Sequence, residues 1–232
     1  MRNLSVTRVV KAHLRKRSLD VLRLQKLIQH GDVDAALQYF VLIQRGALPT
    51  DQKRKVIPVI VNYILDSLNR GNTLPLQFRL DQHTSVLRGW DKYGCRTDMT
   101  VFIDFSRHSG LHLSMWGLKT YTSKEIGGHI RSKSDLDEAL GKILKLDFSL
   151  TYIVQDLIKT TEKVFWSLKN AVDWLRRLNS NWDCFGLAAG HPFFTLGSVD
   201  GRNLVRIFKF YGGGMSMTSR QEGEFIEDAL CR

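Results

Sequence analysis

The amino-acid sequence predicts an α+β protein, with a basic helical N-terminal region followed by a mainly antiparallel sheet packed on a long amphipathic helix. Apolar residues recur at three- and four-residue spacing through the first 80 residues and again over 149–179, which is the spacing of one helical face. Over 97–118 and 193–211 the spacing changes to two, which is typical of half-buried strands. The chain has 232 residues, 43% of them hydrophobic, and is long enough to bury a core.

Three helices are predicted in a first subdomain, residues 1–80. Gly31 and Gly46 end the first two helices, because glycine readily takes the left-handed conformation that follows a helix. Thr50 is a predicted N-cap for the third helix. Pro58 falls in the second turn of that helix, so we expect its start to fray or the helix to kink.

One segment of this region resembles a known helical repeat. The stretch LQKLIQHGDVDAALQYFVLIQRGALPT is similar to a single pentatricopeptide-type hairpin: a helix, a Gly-Asp turn, a second helix with Ala-Leu and Phe, then Gly and Pro. Such repeats bind single-stranded RNA, one base per repeat. The resemblance covers residues 18–50, about 33 residues, and is not repeated, whereas solenoids usually need three or more copies to bury a core. The sequence therefore assigns no family.

The second predicted subdomain is an α+β body over 81–232, and its boundary with the first lies within a predicted connection at 71–96. Asp200-Gly201 is a strong signal for a two-residue hairpin turn. The stretch WDCFGLAA predicts a short buried strand, and Gly127-Gly128 a loop. The other predicted elements are a hairpin at 97–118, helices at 134–146 and 149–179, a hairpin at 193–211 and a terminal helix at 220–230.

Positive charge is concentrated near the N-terminus. The chain has a formal net charge of +11, and residues 1–80 hold 14 basic and 5 acidic residues, a net +9. Residues 81–150 and 151–232 each hold 10 basic and 9 acidic residues, a net +1. Such a concentration attracts polyanions. The predicted polyanion-binding residues are Arg8, Lys11, Arg15, Lys16, Arg17, Lys53, Arg54 and Lys55.

The leading functional hypothesis is a non-enzymatic intracellular protein that binds RNA, or another polyanion such as DNA or an acidic protein surface, through residues 2–55. Phosphate contacts would supply the affinity, which would fall steeply as the salt concentration rises. Single-strand binding also needs exposed aromatic rings. The aromatic residues nearest the two basic clusters are Tyr39, Phe40, Tyr63 and Phe78.

Two other function classes stay open. The first is a structural or assembly protein of viral or organellar type, which self-associates through helix 149–179 and docks on a membrane surface or an acidic partner. The second is a metal-dependent nuclease around Asp104, which ends an apolar strand, with Asp135, Asp137 and Asp183 as remote carboxylates.

The chemical motifs are sparse. Gly212, Gly213 and Gly214 are expected between a strand and a helix, the context of a phosphate-binding loop, but the Walker and G-x-G-x-x-G patterns are absent. We therefore expect no cofactor and no resident metal.

Cysteine usage and the N-terminal residues bear on localisation. Cys95, Cys184 and Cys231 are an odd number of widely spaced cysteines, which predicts no disulfide framework and a reducing compartment, cytoplasmic or nuclear. No apolar signal-peptide core is found near the N-terminus. Residues 1–19 contain six basic residues and no acidic one, a composition similar to that of a mitochondrial presequence.

Overall fold

The computed structural model describes residues 20–70, 74–81, 85–106, 110–116 and 124–231. These residues form helices and an 11-stranded antiparallel sheet, so the predicted α+β class is confirmed.

The helices described in the N-terminal region agree with the sequence pattern. Helix α1 covers 20–29, α2 covers Val33–Gln44 and α3 covers Lys53–Asn69. The side chain of Asp32 caps α2 by accepting a hydrogen bond from the amide of Ala35. Before α3, Thr50–Gln52 form a single 3₁₀ turn, the irregular start that Pro58 predicts. The predicted N-cap, Thr50, is wrong, because Thr50 begins this turn and Gln52 occupies the cap position of α3 without a side-chain capping hydrogen bond.

The first part of the sheet is a meander of five strands: β1 (Leu76–Leu80), β2 (Val86–Asp91), β3 (Arg96–Asp104), β4 (Leu111–Trp116) and β5 (Lys124–Ile130). Strands β3 and β4 confirm the hairpin predicted at 97–118. The expected connection at 71–96 is wrong, because β1 and β2 lie there, and Gly127-Gly128 lie within β5 and not in a loop. In β1 only Leu76 and Phe78 are buried. Two alternating buried positions are too few to identify a strand from the sequence.

Helix α4 (Lys133–Leu144) follows β5 and confirms the helix predicted at 134–146. Ser132 and Asp135 form its capping box.

The predicted long helix at 149–179 is wrong. The structure has a β-hairpin there, β6 (Leu150–Asp156) and β7 (Thr161–Phe165), followed by the shorter helix α5 (Leu168–Leu178). Burial along β6 alternates, with Tyr152, Val154 and Asp156 inside. The apolar residues of this stretch also fit a helical spacing, but pairing with a neighbouring strand selects the extended form.

Three further strands and a terminal helix complete the second part of the sheet. Strand β8 (Trp182–Gly186) precedes a hairpin formed by β9 (Phe193–Ser198) and β10 (Leu204–Tyr211), and helix α6 (Arg220–Leu230) follows. The hairpin predicted at 193–211 and the helix predicted at 220–230 are confirmed. The strands lie in the order β8-β9-β10-β6-β7, here called the second sheet. Strand β8 lies at the edge of this sheet and Phe185 is 61% exposed, so the short strand is confirmed but its expected burial is wrong.

A short strand, β11 (Gly214–Ser216), joins the two parts of the sheet. It pairs with β10 and, through Ser216 opposite Thr97, with β3. One apolar core lies among α1 to α4 and strands β1 to β5, and a second lies between the second sheet and helices α5 and α6. The division into subdomains at residue 80 stays a prediction. Within the described ranges, no helix is long and apolar enough to cross a membrane.

A disulfide corrects the expectation from cysteine spacing. Cys184 on β8 is bonded to Cys231 at the end of α6, with the Cα atoms 6.0 Å apart. That distance lies in the ordinary range for disulfides. Cys95 is free and partly buried.

Candidate nucleic-acid interface

The two faces of the second sheet differ in their covering. Helices α5 and α6 pack on the inner face, where Phe194 and Leu196 of β9 and Val205 and Ile207 of β10 are buried. Because successive side chains of a strand point to opposite faces, the alternate residues form the outer face. The outer side chains of β10, all partly exposed, are Leu204, Arg206, Phe208 and Phe210.

Strand register aligns the apolar residues of the outer face in a row. Phe208 lies opposite Phe193 on β9 and Ile153 on β6, and Ile153 lies opposite Val164 on β7. Val164 is 55% exposed, and Trp166, directly after β7, is 70% exposed. The outer face is therefore an apolar surface rich in aromatic rings.

The rings on β9 and β10 contact one another. The centroids of Phe193 and Phe208 are 5.1 Å apart, and those of Phe208 and Phe210 are 6.4 Å apart. The guanidinium group of Arg206 lies 4.4 Å from the centroid of Phe193 and makes a cation–π contact. We call the set Phe193, Arg206, Phe208, Phe210 and Trp166 the aromatic face.

A cavity of about 330 Å³ lies at one end of the aromatic face. Its lining residues are Asp147, Ser149, Thr151, Ile153, Val164, Trp166, Phe210, Gly212 and Gly213.

The predicted phosphate loop borders this cavity. Gly212 and Gly213 form the two-residue turn between β10 and β11, and both have a positive φ, +60° and +125°. The amide of Gly212 donates a hydrogen bond to the carbonyl oxygen of Ser149 at 3.0 Å. Gly214 lies in β11, so the loop does not lead directly into a helix as the sequence suggested. Phosphate binding at these glycines stays a prediction.

The predicted basic residues are only partly within the described ranges, since Arg8, Lys11, Arg15, Lys16 and Arg17 lie outside them.

The second predicted basic cluster, Lys53, Arg54 and Lys55, lies within the described residues at the start of α3. The ammonium of Lys53 donates a hydrogen bond to the carbonyl oxygen of Phe105 at 3.2 Å, which anchors it to the fold. Arg54 and Lys55 are exposed in the first helical turn, where the helix dipole adds partial positive charge. Tyr39, Phe40 and Phe78 are at most 1% exposed, so they are core residues and not a stacking surface.

The carboxylates suggested for a nuclease have other partners. Asp104 Oδ1 accepts hydrogen bonds from the amide and the hydroxyl group of Ser106 at 2.8 and 2.6 Å. Asp135 caps α4, and Asp137 accepts from the hydroxyl group of Tyr63 at 2.6 Å. Among the residues that the structure describes, Asp183 included, no three His, Cys, Asp or Glu side chains are placed to hold a metal ion.

A buried ion cluster is the main feature that sequence reasoning missed. Lys209 is 1% exposed, and its ammonium donates hydrogen bonds to Asp91 Oδ2 at 2.7 Å and to Glu222 Oε2 at 2.8 Å. Tyr152 donates its hydroxyl hydrogen to Glu222 Oε1 at 2.6 Å. Burial by itself lowers the pKa of Lys209, but the two carboxylates outweigh it and raise that pKa. The cluster joins β2, β10, β6 and α6.

Comparison with known proteins finds no matching family model, no matching curated protein and no matching solved structure. The interpretation of the site therefore depends on its chemistry and geometry.

Proposed function

We propose that this protein binds single-stranded nucleic acid, RNA in preference to DNA, by stacking unpaired bases on the aromatic face. The observation that carries the proposal is the set of partly exposed rings on adjacent antiparallel strands, Phe193, Phe208 and Phe210, continued by Trp166. Aromatic rings on an open sheet are a recurring platform for RNA bases. Stacking is worth about 1–3 kcal/mol per base and tolerates any base, since every base has a π face.

Polar groups beside the rings supply further contacts. Arg206 lies opposite Thr195 on β9 and Gln155 on β6, so a polar row runs next to the apolar one. Hydroxyl and amide groups can bond to base edges and to the ribose 2′-hydroxyl, the group that distinguishes RNA from DNA. The guanidinium group of Arg206 provides both a stacking plane and hydrogen-bond donors.

The net charge of +11 supports the same proposal at longer range. Electrostatic attraction raises the rate of encounter with a polyanion. Arg54 and Lys55 are the exposed members of the predicted basic set within the described residues, and we assign them contacts with the phosphate backbone.

Fluorescence anisotropy with a labelled ten-nucleotide RNA tests the proposal. Phe208→Leu keeps an apolar side chain but removes the ring, and we expect it to weaken binding about tenfold. Phe225→Leu is the matched control, because Phe225 is 42% exposed on α6, away from the outer face. Equal affinities for the two variants, or a wild-type protein that ignores RNA at low salt, would overturn the proposal.

Self-association is the second candidate function, and the apolar row of the outer face favours it. The helix predicted at 149–179 cannot supply the interface as a continuous surface, because β6 and β7 occupy the first part of that stretch and only the shorter α5 follows. Ile153 and Val164 extend the exposed apolar surface beside the rings, and such surfaces often mark protein interfaces. A concentration-dependent dimer in sedimentation experiments, dissociated by Phe208→Arg and indifferent to RNA, would favour this candidate. Binding to anionic liposomes would favour the membrane-docking form of the assembly hypothesis.

A further inference from the structure

The outer face of the second sheet continues across β11 onto the first part of the sheet. Phe210 on β10 lies opposite Met215 on β11, and both side chains are partly exposed. The next residue of β11, Ser216, is buried and lies opposite the buried Thr97 of β3. Because successive side chains of a strand point to opposite faces, Arg96, next to Thr97, lies on the same face as Met215. One face of the sheet therefore leads from the aromatic face to the first part of the sheet.

Two arginines and a tryptophan lie together where this face reaches β3. Trp90 on β2 is partly exposed and lies opposite Arg96 on β3 and Gln77 on β1. The guanidinium group of Arg79, two residues along β1 from Gln77, lies 5.2 Å from the centroid of the Trp90 ring. We call Arg79, Trp90 and Arg96 the arginine site. Because β3 and β11 lie between β2 and β10, the arginine site is about 14 Å from β10 across the sheet.

Both arginines of this site have charge available for a ligand. Arg79 and Arg96 are exposed, and neither forms an ion pair with another residue that the structure describes. By contrast, Arg88 on β2 is paired with Asp81 at 2.9 Å. Asp98 on β3 is partly buried; burial raises its pKa, and Arg88 and Arg96 lower it. The exposed charges of the arginine site are therefore positive, which suits the phosphate groups of a nucleic acid.

We infer that the strand bound on the aromatic face continues across β11, and that Arg79 and Arg96 bind its phosphate groups; the inference rests on the proposed RNA binding. A planar guanidinium group can donate two parallel hydrogen bonds to the oxygens of one phosphate. The cation–π contact with Trp90 restricts the side chain of Arg79 before the ligand arrives, which reduces the entropy lost on binding. The rings on β9 and β10 bind bases, and the arginines on β1 and β3 bind the backbone of the same strand.

Fluorescence anisotropy with a fifteen-nucleotide oligouridine, over a series of salt concentrations, tests the inference. Such a strand exceeds the distance between the two parts of the surface even when its bases are stacked. Arg79→Gln with Arg96→Gln should weaken binding about tenfold at about 50 mM salt and reduce the slope of log affinity against log salt by about 1.4. Arg177→Gln with Arg220→Gln is the control, because it removes two exposed guanidinium groups from α5 and α6, the helices that pack on the inner face. The control should keep both the affinity and the slope.

The outcomes separate this inference from the proposed function. If Phe208→Leu weakens binding but the Arg79 and Arg96 double variant binds like its control, the strand does not reach the arginine site, and the inference fails while RNA binding stands. If Phe208→Leu binds like the wild type, or the wild type ignores the strand at low salt, the proposed function fails and the continuous path fails with it. Weakened binding in both variants, with a reduced slope only in the arginine variant, supports the path. The two arginines are exposed, so these substitutions leave the apolar cores intact.

Discussion

Lys209 forms two buried ion pairs with carboxylates from two other elements of the fold. Its ammonium is enclosed between two carboxylates, one from β2 in the first part of the sheet and one from α6. Asp91 is held in turn by the amides of Tyr93 and Cys95 at 2.9 and 2.8 Å. Removing one charge from such a group leaves the others buried without compensation, which costs far more than losing an exposed pair.

We therefore predict that Lys209→Met lowers the free energy of unfolding by about 3–5 kcal/mol, because two buried carboxylates lose their counter-charge. Urea denaturation followed by circular dichroism measures the change. Lys142→Met is the control, since Lys142 pairs with Glu138 on the surface of α4 with its side chain 56% exposed. The control should cost no more than about 0.5 kcal/mol. A Lys209→Met protein as stable as the control would contradict the assigned role.

The phenol next to this cluster makes stability depend on pH. Burial, with the neighbouring charge of Glu222, raises the pKa of Tyr152 above its ordinary value of 10.0. Above pH 10 the unfolded chain loses this proton while the folded chain keeps it, so the stabilisation is complete below pH 10 and is lost as the pH rises further. Between pH 10 and pH 11, the unfolding free energy of the Tyr152→Phe variant should decrease less than that of the wild type, by up to about 1.4 kcal/mol. Denaturation at pH 8 to 11 measures the unfolding free energy of both proteins. If it depends on pH in the same way in the variant and the wild type, the pH dependence assigned to Tyr152 is wrong.

At the scale of the elements, the apolar periodicity of residues 149–179 predicted one long helix where the structure has two strands and a shorter helix. The apolar residues of β6 and β7 fit a helical face when read alone, and the true helix, α5, begins only at Leu168. Seven residues of β6 pair with β10, between Leu150 opposite Tyr211 and Asp156 opposite Val205. The β-branched residues Thr151, Ile153 and Val154 suit that pairing. By contrast, α6 is predicted within its observed bounds, because its cap and its amphipathic face are both local.

The disulfide between β8 and the end of α6 yields a prediction for these two elements. Cys184 and Cys231 are separated by 47 residues, and closing a loop of that length stabilises the folded chain by about 4 kcal/mol through the entropy of the unfolded chain. A reductant should therefore lower the Tm of the wild-type protein. The double variant Cys184→Ser, Cys231→Ser should start from the lower Tm and not respond to the reductant. If the Tm of the wild-type protein does not change with the reductant, the disulfide between Cys184 and Cys231 is contradicted.

At the scale of the whole molecule, charge and the aromatic face have separate roles in the proposed function. Cations act over distances comparable to the Debye length, about 8 Å at physiological salt, whereas stacking acts only on contact. Neutralising cations should therefore change the salt dependence of binding, and removing rings should change the affinity at every salt concentration.

The double variant Arg54→Gln, Lys55→Gln measures the charge contribution directly. Each phosphate contact adds about 0.7 to the slope of log affinity against log salt for a single strand, so losing two contacts should reduce that slope by about 1.4. Lys169→Gln with Arg177→Gln is the control, because these exposed cations lie on α5, across the second sheet from the aromatic face. Phe208→Leu should lower the affinity at every salt concentration without changing the slope of log affinity against log salt. An unchanged slope for Arg54→Gln, Lys55→Gln would remove these residues from the binding surface.

The sequence alone determined the α+β class, both confirmed hairpins, the terminal helix and the N-terminal excess of charge. Each of these depends on local periodicity, turn residues or composition, which the chain carries in any environment. Only the tertiary structure decided which face of the second sheet is covered, because alternation along β10 defines two faces and the packing of α5 and α6 selects one. It also decided the partners of Lys209, since Asp91 lies 118 residues away in the chain. Contacts at such separation depend on the whole topology, and no short window of sequence contains them.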